Sequence, residues 1–316
     1  MGFSKLRISL FLGIIFLVIS CKQTKNIVRE EVANAKLENA LLWEISGKNL
    51  SKNSYLFGTI HIISADDYFL PKGMLTAIDN VDKIVFEINM EEMKELEEMK
   101  DITKVMGLIF SFIMKDNISI RDLVTDDDYK LIKDHFDDLG LPFFLFEKIK
   151  PMFLTVFSSG DIKPGDIQSG LIKSYENELL NIGKEANKEF GGLETIEYQI
   201  SLFDSIPYED QAKMLVESIK ATNTEREEFK EMIRIYKEQD LNAMQDLFAS
   251  EEGGLEGHED VLLVNRNKNW IPVMEEEMSL KAIFFAVGAG HLGGKYGVIR
   301  LLREAGYKLK PISNTQ

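Results

Sequence analysis

The chain has four histidines, and two of them share a setting. His61 closes Gly58-Thr59-Ile60-His61, and His291 closes Gly288-Ala289-Gly290-His291. Each G-x-x-H follows an apolar run that reads as a strand. Glycine lets the backbone turn or another group approach closely. The imidazole can then stand beyond the strand end, where open sheets gather their ligands. Two imidazoles meeting there suit a transition metal or an acid–base pair. Glu87, in VFEIN, lies between apolar neighbours; an unpaired carboxylate is expensive there and needs a metal, an arginine or a histidine. Glu194 follows two glycines in GGLET, a setting like that of the two histidines. Arg266, in VNRNKNW, is a candidate partner for a carboxylate or an oxyanion. His135, in KLIKDHFDDLG, reads as solvated helix surface, and His258 as part of an exposed Gly/Glu loop.

Other chemistries lack their residues. No G-x-S-x-G elbow, H-E-x-x-H or C-x-x-C occurs, which disfavours a serine or cysteine nucleophile and the common zinc patterns. GAGHLG at 288–293 spells G-x-G-x-x-G between a strand and a helix. The next strand, YKLKPI, has no acid for a ribose, and no second βαβ unit follows, so the dinucleotide reading is set aside. The glycines are expected to shape the turn that presents His291.

The elements around these residues are strands at both ends and helices between. Residues 41–46 and 54–63 read as a hairpin around a polar turn, and 82–90 as a third strand. Pro71 is expected to open a short helix. The stretch 91–240 is mostly helical. Within it, VMGLIFSFIM is too short to span a bilayer and reads as a buried core helix. Phe143, Phe144, Phe146, Phe153 and Phe157 form a cluster expected to pack in a core or to line an apolar groove. KEFGGLE (188–194) reads as another short strand. EREEFKEMIRIYKEQDLNAMQDLF reads as one helix, and DVLLVNRNKNWIPVMEEEM as a helix broken near Pro272. Strand AIFFAV, helix KYGVIRLLREAG and strand YKLKPI close the chain. The expected class is α+β, a mixed α/β arrangement. Its central sheet is built from N- and C-terminal strands, with a large helical insertion.

The chain has 316 residues, 45% apolar and 28% charged, with 37 Lys+Arg against 52 Asp+Glu and a formal net charge of −15. Such a composition rules out a disordered or collagen-like chain, and the acidity argues against nucleic acid as a partner. Lys5 and Arg7 precede an apolar run from Ile8 to Ile19, as in a secretory signal. The run leads into Leu17-Val18-Ile19-Ser20-Cys21, which resembles a bacterial lipobox, and Cys21 is the sole cysteine. The expectation is a signal peptide at 1–20, lipidation of Cys21, a polar tether at 21–39 and a domain at 40–316. Multiple acyl chains would anchor it stably. Lys22 rather than Asp points to an outer-membrane lipoprotein facing the periplasm.

Taken in order, WEISGKNLSKNSYLFGTIHI, Leu70-Pro71, VFEINM, GLETIEYQ, NRNKNW and AVGAGHLGGKYGVIRLLREAGY resemble the TraB/GumN family over about 40–312. That family includes pheromone-shutdown proteins and TIKI-type proteases. The resemblance implies a metal-dependent hydrolase fold related to erythromycin-esterase-like and ChaN-like proteins. It implies roles for His61, Glu87, Glu194, Arg266 and His291. In the hydrolase reading His61, His291 and Glu194 hold a divalent ion, Mn²⁺, Co²⁺ or Zn²⁺. Glu87 then serves as general base and Arg266 steadies an oxyanion, although Glu87 and Glu194 could exchange parts. The substrate would be a peptide or protein. The alternative is a lipoprotein that sequesters a peptide signal or haem without turnover.

Overall fold

The computed structural model describes residues 36–98, 102–158, 169–220, 223–248 and 257–313. The signal segment, Cys21 and most of the expected tether lie outside the described residues. The described residues from Glu38 onward form one compact unit. No helix among the described residues is long and apolar enough to cross a membrane.

Six strands form one mixed sheet in the order β6-β4-β7-β2-β1-β8. They are β1 (Leu42–Gly47), β2 (Ser54–Thr59), β4 (Lys83–Phe86), β6 (Glu189–Gly192), β7 (Ile283–Gly288) and β8 (Tyr307–Pro311). Strands β6, β4, β7 and β2 run parallel to one another, while β1 is antiparallel to both β2 and β8. The expected hairpin, the joining of N- and C-terminal strands, and the helical insertion are all present. Strand β2 is buried along its whole length and β7 nearly so. Their apolar runs therefore do not alternate, as befits central strands covered on both faces. The strand expected over 54–63 ends at Thr59, and Ile63 belongs instead to a two-stranded pair, β3 (Ile63–Ser64) with β5 (Ile172–Lys173).

The helices of the first half are α1 (Met74–Asp79), α2 (Met90–Glu97), α3 (Ile102–Phe112), α4 (Ile120–Leu123), α5 (Asp126–Asp138), α6 (Pro151–Leu154) and α7 (Tyr175–Glu185). Those of the second half are α8 (Ile196–Leu202), α9 (Tyr208–Lys220), α10 (Asn223–Lys237), α11 (Leu241–Phe248), α12 (Asn265–Leu280) and α13 (Val298–Glu304). Helix α1 begins three residues after Pro71, with Gly73 as its N-cap. The long charged helix is two, α10 and α11, because Gln239 turns into the left-handed region at φ 57.

Two expectations need correction. Helix α3 is not a core helix: only Val105 is buried in it, and Ile102, Met106, Ile109 and Phe110 are exposed. The core nearby is filled instead by Phe136, Phe143, Ile132, Leu154 and Leu215, with Phe146 and Phe157 packed against them. The phenylalanine cluster is therefore packing, apart from the exposed Phe144. Nor does Pro272 break its helix; α12 runs through it. The irregularity lies one turn before α12, where Asp260–Val264 form a widened π-type turn.

Candidate active site

The parallel register explains why the chosen residues meet. Strands β6, β4, β7 and β2 end on one edge of the sheet, and each is followed within a few residues by Glu194, Glu87, His291 and His61 respectively. Thr59 lies opposite Gly288, so the two G-x-x-H turns leave neighbouring strands, about 4.8 Å apart. A Cβ on Gly58 would come within 3.0 Å of the Ala289 Cα and of Leu292. The first glycine therefore lets the second turn pack on it. Between β4 and β6 the backbones also bond beyond the strands, the Glu194 N–H donating to the Glu87 carbonyl at 2.9 Å.

Glu87, Glu194, Arg266 and His291 form a single buried cluster. Their side chains are 9%, 5%, 8% and 6% exposed, so each polar atom needs a partner inside the protein. Arg266 supplies most of them. Its Nη2 donates to Glu87 Oε2 at 2.5 Å and to Glu194 Oε1 at 2.6 Å, and its Nε donates to Glu194 Oε1 at 3.0 Å. Its Nη1 donates to the Leu262 carbonyl, in the widened turn, and to His291 Nε2, each at 3.1 Å. The guanidinium fork is thereby engaged on all its nitrogens. Gln199 Nε2 bridges the two carboxylates, at 3.0 Å to Glu87 Oε2 and 3.1 Å to Glu194 Oε1. Trp270 Nε1 donates to Glu194 Oε2 at 2.9 Å, and the Gly288 N–H donates to Glu87 Oε1 at 2.8 Å.

The protonation of His291 follows from its neighbours. Asn267 Nδ2 donates to the carbonyls of His291 and Tyr296, which fixes the amide so that its Oδ1 faces His291 Nδ1 at 2.6 Å. That nitrogen must carry the proton, and Nε2 is the lone pair that accepts from Arg266. Burial keeps the imidazole neutral, with its pKa lowered to about 3 against the pull of Glu87. For Glu87, burial alone would raise the carboxyl. The charges of Arg266 and His61 and the Gly288 N–H outweigh it and hold the pKa at about 2.

His61 is brought to the same strand edge but not into the cluster. Its side chain is 69% exposed, and its Nδ1 lies 2.9 Å from Glu176 Oε1. That hydrogen bond, helped by the charges of Glu176 and Glu87, raises its pKa to about 9. His135 and His258 are half-buried and stand outside this set; His135 is tied through Nε2 to the Phe157 carbonyl at 2.9 Å.

Four partners were not foreseen: Glu176, Gln199, Asn267 and Trp270. The last three fall in the stretches GLETIEYQ and NRNKNW that carry the family resemblance. Glu176 had no signal beyond following Ser174, the N-cap of α7.

The sequence profile of the TraB/PrgY/gumN family matches residues 41–311. Among curated relatives, Metalloprotease TIKI2 of Danio rerio is 20% identical over 351 aligned positions, covering 93% of this chain and 65% of the relative. Metalloprotease TIKI2 of Xenopus tropicalis is 22% identical over 326 positions, covering 86% of this chain and 60% of the relative. The chain thus spans less than two-thirds of the length of these distant relatives. No solved structure matches. The matched span takes in every strand of the main sheet and every residue of the strand-end site. The chain belongs to the TraB/PrgY/gumN family.

Proposed function

We propose that the chain is a hydrolase of the peptidase class, working at the carboxyl edge of the sheet. The observation that carries this reading is the contrast between His61 and its neighbours. One imidazole faces solvent, paired with Glu176, beside a buried, fully bonded carboxylate–guanidinium–imidazole floor. Family membership and the distant likeness to proteins named metalloproteases support the same class.

An ion held by His61, His291 and Glu194 does not fit the arrangement described. The His291 Nε2 lone pair accepts from Arg266, and both Glu194 oxygens are bonded by Arg266, Gln199 and Trp270. Among the described residues, no three His, Cys, Asp or Glu side chains are grouped to hold a metal. The cation at the centre is the guanidinium, and no step here runs through an ion. Glu87, with its pKa near 2, is a weak base at neutral pH. The Arg266 donors are already engaged, so an oxyanion would have to displace a bond. His61 remains the group able to meet a substrate. In amide hydrolysis a water oxygen bonds to the carbonyl carbon and the C–N bond breaks. The departing nitrogen takes the His61 Nε2 proton, and the proton released by water returns to Nε2.

The test is cleavage of a broad peptide set by the purified chain, in chelator and with added Mn²⁺, Co²⁺ or Zn²⁺. Cleavage that is lost in His61→Ala, while the variant still unfolds cooperatively, supports the reading. No cleavage in any arm overturns it. Cleavage only with an added ion would restore the metal-ligand roles of His61, His291 and Glu194, at the cost of the Arg266–His291 bond.

We further propose that Cys21 carries a lipid anchor that places the domain at the outer membrane, facing the periplasm. Lys5, Arg7, the Ile8–Ile19 run and Lys22 support this. Palmitate labelling that persists in Cys21→Ser would overturn it.

A further inference from the structure

The most exposed residue of the strand-end set is anchored by a group that is itself anchored twice. Glu176 lies in the first turn of α7, just after the N-cap Ser174, where the helix dipole favours a carboxylate. Its Oε1 accepts from Thr59 Oγ1 at 2.9 Å, and its Oε2 accepts from Ser174 Oγ at 2.9 Å. Thr59 is the buried last residue of β2, two positions before His61. The two hydroxyls thus fix the carboxylate independently of the imidazole, and only then does Oε1 meet His61 Nδ1 at 2.9 Å. Glu176 is 14% exposed against 69% for His61, so the contact is sheltered on the carboxylate side. An ionised carboxylate only accepts, so Nδ1 must carry a proton. The nitrogen left to give or take one is Nε2.

We propose that Glu176 is the positioning residue of this site, holding the Nδ1–H of His61 so that Nε2 is the atom presented to substrate. The kinetic part of this inference rests on the hydrolase reading; the geometric part does not.

The test is selective ¹⁵N labelling of histidine in the full chain, whose four histidines give few signals, with His61→Ala identifying the one of interest. At a pH where the ring is neutral, wild type is expected to show the Nδ1–H tautomer. Glu176→Gln keeps the shape. The Thr59 and Ser174 hydroxyls can serve either end of its carboxamide, so His61 meets an oxygen or an NH₂ and becomes a mixture of tautomers. Glu176→Ala leaves the Nε2–H form that imidazole prefers in water. Both variants should lower kcat on the order of 10²-fold with little change in KM. If Glu176→Ala fails to fold, as its unfolding midpoint would show, Glu176→Gln decides. Persistence of pure Nδ1–H in the folded variants overturns the proposal. So does a shifted tautomer with unchanged kcat. A shifted tautomer in a chain that cleaves no peptide supports the Glu176 anchor and sinks the hydrolase reading separately.

Discussion

Among the described residues, Arg266 is the one cation in contact with both Glu87 and Glu194, and it also holds the lone pair of His291. Removing one partner of a buried charge pair leaves the others unpaired in a medium that solvates them poorly. Arg266→Ala should therefore cost about 3–5 kcal/mol, a fall on the order of 10 °C in the unfolding midpoint. Arg266→Lys keeps the charge but not the fork, so it should recover only part of this. Adding Glu87→Gln to Arg266→Ala removes a surplus charge and should restore some stability, which a double-mutant cycle would measure. An Arg266→Ala midpoint within a degree or two of wild type would show that the guanidinium is not the counter-ion. At this scale the sequence was most legible where residue type and strand end coincided: His61, Glu87, Glu194 and His291 all follow parallel strands. Glu176 was not legible, because one acid among many in helices has no mark until a second chain segment supplies Thr59 and His61.

The elements divide the same way. The strands could be read from the apolar, β-branched runs in β1, β2, β4 and β7, and even short β6 stood out by its glycines. The helical insertion was harder, since an apolar run is the same whether it lines a core or faces solvent. Helix α3 shows the ambiguity: its Ile109 and Phe110 are exposed, whereas Phe136 of α5 is fully buried. The core it was expected to join is already filled by Phe136 and Phe143 with their neighbours. The difference has a measurable consequence. Phe110→Ser should change stability by no more than about 0.5 kcal/mol, while Phe136→Ala should cost about 3–5 kcal/mol. Denaturant unfolding of the two variants compares them directly, and a large loss in Phe110→Ser would return α3 to the core. Pro272 was misread for a related reason. Its missing N–H removes one main-chain bond, and the packing of Arg266, Asn267, Trp270 and Met274 on either side holds α12 together.

For the molecule as a whole, the site and the surface make opposite demands on pH. The formal charge of −15 means that protonating surface acids relieves repulsion, so a surface-dominated chain would gain stability on mild acidification. The buried site predicts the reverse. His291 has its pKa lowered from 6.5 to about 3. Its contribution is complete above about pH 6.5 and is lost as pH falls toward 3, because the unfolded chain takes up that proton first. Glu87, lowered from 4.5 to about 2, adds a further loss as pH falls below about 4.5. His61 runs the other way. Raised from 6.5 to about 9, its contribution is complete below pH 6.5 and is lost as pH rises to 9. That alkaline limb should be shallow, since the imidazole is 69% exposed and solvent screens its pairing with Glu176. Salt separates the surface from the site: the Debye length falls to about 3 Å at about 1 M, which quenches surface repulsion far more than buried contacts. Unfolding midpoints measured between pH 4 and pH 9 in high salt should therefore peak near pH 6.5 and fall more steeply on the acid side. His61→Ala should flatten the alkaline limb and change the acid limb much less. A curve that instead keeps rising from pH 6.5 down to pH 5 in high salt would mean that His291 is not held neutral, and the tautomer assigned through Asn267 would fall with it.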